Sequence, residues 1–149
     1  MTVPATRSHP PLRLVLAGFA ACAGVTLAGC GGAKGPELTP VSGKVLLKGK
    51  AAEHATVVLH PVNPATPDQP KPHGTVGPDG TFALTTFATG DGAPPGEYKV
   101  TVEQWIASPR PDEPATNRLP SKYSKVATSG LTATIAAGKT ELPAIEITR

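Results

Sequence analysis

The sequence contains few cysteines and few aromatic side chains. Its 149 residues include two cysteines, one tryptophan, two tyrosines and three phenylalanines. Because Cys22 and Cys30 both lie within the first 30 residues, the rest of the chain cannot be held together by the disulfides typical of small secreted domains. A domain formed by residues 31–149 must therefore be stabilised by a hydrophobic core.

Long apolar runs are also lacking. The longest apolar or small-residue run covers residues 14–29 and has 16 residues, whereas a membrane-spanning helix needs about 20. Arg7 and Arg13 precede this run and small residues end it, as in a cleavable signal peptide. We predict that residues 1–29 are such a peptide and are removed. A short uncleaved anchor is the alternative.

The apolar run ends in the four residues LAGC, at positions 27–30. This stretch resembles the lipobox of bacterial lipoproteins, whose cysteine is alkylated by diacylglycerol and becomes residue one after cleavage. A thiol is the nucleophile that can take the lipid, and the small residues Ala28 and Gly29 suit the processing sites. We expect Cys30 to carry a lipid anchor with fatty acids such as palmitate; an ordinary signal peptide with an incidental Cys30 is the alternative.

The resemblance also implies a destination. Lipoproteins with Asp after the lipidated cysteine are retained at the inner membrane in some bacteria, and here Gly31 occupies that position. We expect an exported lipoprotein that is anchored in a membrane, the outer rather than the inner one.

The predicted mature chain has almost no net charge. The whole sequence has a net charge of +3, with 14 basic and 11 acidic residues. Loss of Arg7 and Arg13 with the signal peptide leaves 12 basic residues, and thus a formal charge of +1. A near-neutral chain without a basic cluster is not expected to bind nucleic acid.

Glycine and proline are abundant, with 16 and 18 residues. Residues 30–40 form a predicted flexible tether, and residues 41–149 have the length of one domain. In that domain glycine and proline separate short segments that alternate in polarity or are rich in β-branched residues, as strands do. The predicted strands are 41–47, 55–60, 74–76, 81–86, 97–105, 131–135 and 144–148. Seven short strands without helices predict an all-β fold, a seven-stranded antiparallel β-sandwich of prealbumin-like or immunoglobulin-like type.

Polarity alternation predicts the core. In segment 97–105, one face carries Tyr98, Val100 and Val102, and the other carries Lys99, Thr101, Glu103 and Trp105. We expect the first face to be buried together with Val45, Val57, Leu59, Phe82, Leu84, Ile135, Ile145 and Ile147. Pro78, Asp79 and Gly80 predict a type I turn followed by a left-handed residue, which would close a hairpin.

The order of three stretches points to a family. VSGKVLLKGKAAEHATVVLHP, GPDGTFALTTF and GAPPGEYKVTV together resemble the carboxypeptidase regulatory-like (transthyretin-like) domains of secreted bacterial proteins. The later LPSKYSKVATSGLTATIAAG is similar to the tail of a lipoprotein subgroup of that family. The resemblance implies a prealbumin-like sandwich and no catalysis.

The residues themselves indicate no enzyme and no cofactor. His54 and His60 lie about 20 Å apart along one strand at 3.3 Å per residue, so they cannot bind one metal ion, and His73 has no Cys or carboxylate pattern beside it. No serine of residues 30–149 lies in a G-x-S-x-G motif. An envelope hydrolase is therefore the weakest of the functional hypotheses.

Trp105 is the remaining candidate site residue. It leads into the proline-rich loop 106–120, and a second such loop covers residues 61–73. Since large apolar side chains are scarce, we predict that loop 106–120 covers the indole and forms a local core of Trp105, Leu119 and Tyr123. The alternative is a carbohydrate- or peptide-binding module of the cell envelope, with Trp105 and both loops as its site. The leading hypothesis is a non-catalytic, lipid-anchored envelope protein with a structural or interaction role, whose partner would be an envelope protein or glycan.

Overall fold

The computed structural model describes residues 35–148. In this range the protein is built of short β-strands and one 3₁₀ turn, Ser121–Ser124. The strands are β1 Val41–Leu47, β2 Lys50–Ala51, β3 Thr56–Pro61, β4 His73–Thr75, β5 Thr81–Ala83, β6 Gly96–Glu103, β7 Trp105–Ile106, β8 Thr116–Asn117, β9 Leu131–Ile135, β10 Thr140–Glu141 and β11 Ile145–Ile147. No helix within the described range is long and apolar enough to cross a bilayer.

The first sheet is arranged around β1. The first half of β1 pairs antiparallel with β5 and parallel with β10. Its second half pairs antiparallel with β2 and parallel with β11. The predicted antiparallel pairing is therefore not uniform, because the last two strands run beside the first one in the same direction.

The second sheet has the order β4-β3-β6-β9, with all pairs antiparallel. The longest strand, β6, lies inside this sheet, and its register places Val102 opposite Val57 and Val100 opposite Leu59. The two sheets enclose the core between them. The predicted β-sandwich is confirmed.

The core contains the side chains that alternation selected. Tyr98, Val100 and Val102 are all buried, and so are most of the other predicted core residues: Val45, Val57, Leu59, Phe82, Leu84, Ile135 and Ile147. Ile145 is partly buried against this cluster. One hydrophobic cluster therefore spans both sheets and positions the loops at either end.

Thr101 is more deeply buried than its position on the outer face predicts. It lies on the outer face of β6 but is only 6% exposed, and it forms a hydrogen bond of 2.9 Å with Nε2 of His60 on the neighbouring β3. Burial, and then the charge of Lys71, lower the pKa of His60. Outward-facing positions at the centre of this sheet are thus not all exposed to solvent.

The predicted turn after β4 is confirmed, and so is the hairpin that it closes. Gly80 has a φ of +84°, its N–H donates to the carbonyl of Gly77 (3.0 Å), and the N–H of Gly77 donates to the carbonyl of Thr81 (2.8 Å). The two arms meet again at an antiparallel bridge, where His73 and Thr85 exchange backbone hydrogen bonds of 2.9 and 2.7 Å. Because β4 also pairs with β3 in the second sheet and β5 with β1 in the first, this hairpin links the two sheets.

Candidate functional site

The entry of the chain into the domain is fixed by backbone contacts. Cys30, the predicted lipidation site, lies outside the described residues. Between Gly35 and β1, Thr39 exchanges two hydrogen bonds of 2.9 Å with Ala93. Gly92 precedes this bridge with a φ of +91°, and a Cβ at that position would overlap the carbonyl oxygen of Thr39. Only glycine allows the entering chain to lie this close to loop 86–95.

At the other end of β6, Gln104 separates β6 from β7. Its Nε2 donates to the carbonyl of Glu53 (2.7 Å), and its backbone N–H donates to Oδ1 of Asn117 (3.0 Å). The same Oδ1 accepts from the N–H of Leu119 (3.1 Å). Asn117 thereby holds β8 against β7, and the single strand predicted over 97–105 is interrupted at this point.

The indole of Trp105 is not covered, so the predicted local core is wrong. The side chain is 56% exposed, and its Nε1–H donates to Oε2 of Glu103 (2.9 Å), which lies on the same outward side of the chain. Leu119 and Tyr123 are buried, but in the main core. The outward direction predicted for Trp105 is confirmed, whereas its burial is not.

Loop 106–120 folds on itself instead of over the indole. Arg110 forms an ion pair with Glu113 (2.6 Å), and the hydroxyl of Ser108 donates to the same carboxylate (2.9 Å). The backbone N–H of Arg110 donates in turn to Oγ of Ser108 (3.2 Å). These local contacts leave the face of β7 that carries Trp105 open to solvent.

A basic groove lies beside the hairpin that β7 and β8 form. It has a volume of about 310 Å³ and is lined by Lys48, Lys50, Arg118 and Gln104, together with Leu47 and Ala51. Oε1 of Gln104 is buried and accepts no hydrogen bond from residues 35–148. We call Trp105, Ile106 and this basic groove the far-end surface.

A second groove lies at the opposite end, where the chain enters. It has a volume of about 260 Å³. Its apolar part consists of Pro36, Ala65, Pro70, Phe87 and Pro94, and its polar part of two threonines and one glutamine, so no charged residue lines it. Phe87 is 59% exposed. We call this the tether-end groove. Asp91 follows Phe87 by four residues, and an aspartate at this spacing can accept hydrogen bonds from the preceding backbone N–H groups. This is the sequence signal that could have indicated an ordered loop at the groove.

Asp91 holds Phe87 in place. Its Oδ1 accepts from the N–H of Thr86 (2.7 Å), and its Oδ2 accepts from the N–H groups of Phe87 (2.9 Å) and Ala88 (2.8 Å). Although burial acts to raise the pKa of Asp91, these hydrogen bonds outweigh it and the pKa lies below its ordinary value. Exposure of Phe87 therefore results from an ordered loop.

Tyr98 fixes the other wall of the groove. Its hydroxyl donates to the carbonyl of Pro94 (2.7 Å), and burial raises the pKa of this phenol. The tether-end groove is thus connected to the core through the first residues of β6.

The two proline-rich loops do not form one site. Loop 61–73 begins beside Tyr98, which pairs with Pro61, whereas Trp105 lies seven residues further along the chain. At 3.3 Å per residue this separates them by about 23 Å. The predicted site that combines Trp105 with both loops is therefore wrong, and each loop belongs to its own end of the sandwich.

The histidines do not gather into a metal site. His54 is exposed and lies 3.3 Å from the carboxylate of Glu53, while His60 contacts Thr101 and His73 contacts the carbonyl of Lys71 (3.3 Å). Across residues 35–148 there is no group of three His, Cys, Asp or Glu side chains that could hold a metal ion.

No protein family and no curated protein matches the chain. Among solved structures it is similar to a 9R-lipoxygenase from Cyanothece PCC8801, with 16% identity and a TM-score of 0.41. It is also similar to a DUF3823 family protein from Parabacteroides merdae, with 17% identity and a TM-score of 0.39. These matches cover 74% and 76% of this chain, but only 16% and 47% of the neighbours. Similarity at this level assigns neither a family nor a function.

Proposed function

We propose that this protein is a non-catalytic lipoprotein of the bacterial cell envelope, in which a small β-sandwich serves as a structural or interaction module. The observation that carries the proposal is the sequence LAGC after an apolar run of 16 residues. The described domain begins shortly after this cysteine in the sequence, since Thr39, nine residues after Cys30, already contacts loop 86–95. The proposed tether between lipid and domain is therefore short.

Labelling with radioactive palmitate tests the anchor. The wild type should incorporate the label and Cys30→Ala should not, whereas Cys22→Ala serves as the matched control and should be labelled normally. Mass spectrometry of the mature protein should find Cys30 as its modified first residue. An unmodified N-terminus at another position would exclude the anchor.

We propose the outer membrane as the destination, since Gly31 and not Asp follows the cysteine. Membrane separation on a density gradient should place the wild type with outer-membrane markers. Gly31→Asp should move the protein to the inner membrane without affecting lipidation. Identical distributions of the two proteins would contradict this part of the proposal.

The finer family assignment, a carboxypeptidase regulatory-like domain, also remains a proposal. It is supported by the order of the three matching stretches, which fall on β1 to β3, on the turn and β5, and on β6. In this proposal the domain has no catalytic role of its own. Purified lipoprotein should have no hydrolase activity on envelope peptides or glycans, and turnover of either substrate would exclude it.

A second candidate function is a binding module for glycans or peptides, and the exposure of Trp105 favours it. Exposed aromatic side chains on loops are common contacts for such ligands. The neighbouring Lys48, Lys50 and Arg118 would favour an acidic ligand. A glycan and peptide array should then show binding that Trp105→Ala abolishes and Phe87→Ala, at the opposite end, leaves intact.

A further inference from the structure

The tether-end groove combines three properties. It presents a large aromatic side chain that is more than half exposed. No charged residue lines it. The loop that carries Phe87 is held by three backbone hydrogen bonds to Asp91. Exposed apolar surface of this kind is typical of contact sites for a protein, a ligand or a membrane.

The short stretch of chain between Cys30 and the groove favours a membrane among these contacts. Pro36 lines the groove and is six residues from Cys30. Six fully extended residues span at most about 22 Å. If the proposed lipid anchor is correct, the groove therefore cannot lie farther than this from the lipid-modified cysteine.

The charges around the groove fit a bilayer surface that is recognised by apolar contact. Glu37, Asp68 and Asp91 each lie in one of the three segments that form the groove, and Lys71 is the basic residue of loop 61–73. Because this end has no basic cluster, attraction to anionic lipids contributes little. Val62, which is 45% exposed, is in the same loop as Ala65 and Pro70 and adds apolar area at this end.

We propose that the tether-end groove docks on the lipid interface of the membrane, with Phe87 inserted among the headgroups. This inference rests on the proposed lipid anchor at Cys30. It orients the domain, because Trp105 lies at the opposite end of β6, about 30 Å from Gly96 at 3.3 Å per residue. The membrane contact and the far-end surface are then separate, and the far-end surface points into the compartment.

Fluorescence quenching by brominated lipid tests the docking. The full-length lipoprotein is purified with its lipid and reconstituted into phosphatidylcholine vesicles with or without bromine on the acyl chains. Since Trp105 is the only tryptophan, the double variant Phe87→Trp/Trp105→Phe reports the tether end and the wild type reports the far end. Both substituted side chains are exposed, so the fold is retained, which circular dichroism verifies.

We expect the fluorescence of the tryptophan at position 87 to be quenched at least about twofold, because an interfacial side chain lies near the acyl chains. The fluorescence of Trp105 should not be quenched. Quenching at position 87 should be independent of added phosphatidylglycerol. Equal quenching at both positions would mean that the domain lies flat, and would overturn the proposal. A protein that floats with the vesicles but is unquenched at position 87 overturns docking and leaves the anchor intact.

Two further outcomes are informative. A blue-shifted but unquenched indole at position 87 would show that protein, such as a second copy of this chain, covers the groove, and would exclude lipid as its occupant. A protein that does not float with the vesicles overturns both the anchor and the docking. Failure of the proposed function is thereby distinguished from failure of this inference.

Discussion

The two ends of the sandwich each expose one large aromatic side chain, but in opposite surroundings. Phe87 lies in a groove without charged lining residues, beside the entry of the chain. Trp105 lies beside a groove lined by Lys48, Lys50 and Arg118. An uncharged apolar groove suits lipid, whereas a groove lined by basic residues suits a polar or acidic ligand in water. Exposure alone therefore does not define a function; the side chains that line the neighbouring groove distinguish the two ends.

The largest effect is expected from a change in the core that supports both ends. Val100 is 1% exposed at the centre of β6, and Val100→Asp would bury a charge without a partner. The domain has only about 5–15 kcal/mol of stability, so this variant should not fold, and both ends should be lost together. Urea unfolding followed by circular dichroism measures this.

The matched control for this change is Thr132→Asp. Thr132 is exposed on β9 and pairs with Lys99, so a carboxylate there should be tolerated. Thr101 is unsuitable as a control, because it is buried against His60. Equal tolerance of aspartate at positions 100 and 132 would show that the assigned inner face is wrong.

A change at Gly92 should affect the tether end selectively. Ala at this position would have both a positive φ and a clash with the carbonyl of Thr39, so we expect a loss of more than about 2 kcal/mol of unfolding free energy. Gly90, with a φ of +73° and open space around it, gives the control: Gly90→Ala should cost only about 1–2 kcal/mol. If both variants lose the same unfolding free energy, the contact between Gly92 and the carbonyl of Thr39 is not rigid.

Asp91 allows the order of the tether end to be tested by pH. Because the pKa of Asp91 is lowered in the folded state, its carboxylate stabilises the fold above its unfolded pKa, near 4, and this contribution is lost as the pH falls through the folded pKa. Asp91→Ala should speed amide exchange at Phe87 and Ala88 and reduce this acid dependence. Amide exchange measured by NMR checks this, with Asp68→Ala, in the neighbouring loop, as control. Unchanged exchange at these amides would mean that Asp91 does not hold the loop.

The smallest effect on stability is expected at Trp105. Since the side chain is 56% exposed, Trp105→Ala should change the unfolding free energy by no more than about 0.5 kcal/mol. The indole emission of the wild type should be red-shifted and accessible to soluble quenchers. A loss of about 3–5 kcal/mol, typical of a buried tryptophan, would show that loop 106–120 covers the ring in solution.

The sequence predicts the strands well and their partners poorly. β1 and β9 have the predicted bounds, and the buried face of β6 is the predicted one, because alternation is a local property of the chain. The parallel pairing of β10 and β11 with β1 depends on contacts about 100 residues apart, which no local pattern contains. The hairpin of β4 and β5 is predicted correctly, but the further pairing of its arms with two different sheets is not a local property either.

The candidate sites were harder to predict than the fold. The scarcity of aromatic side chains predicts burial of Trp105, but the loop that would cover it is held by its own contacts among Ser108, Arg110 and Glu113. No local pattern defines the tether-end groove, because its walls come from three separate segments, which contain Pro36, Pro70 and Pro94. Only the folded chain brings these residues together.

Thiol labelling in vesicles tests most directly whether the two ends face different surroundings. The mature lipoprotein should contain no free thiol, so Phe87→Cys and Trp105→Cys each introduce a single reactive site. A water-soluble maleimide should label position 105 at the same rate in phosphatidylcholine vesicles and in detergent solution. It should label position 87 several-fold more slowly in vesicles, because the interface covers that end. Equal rates at position 87 in vesicles and in detergent would contradict the account.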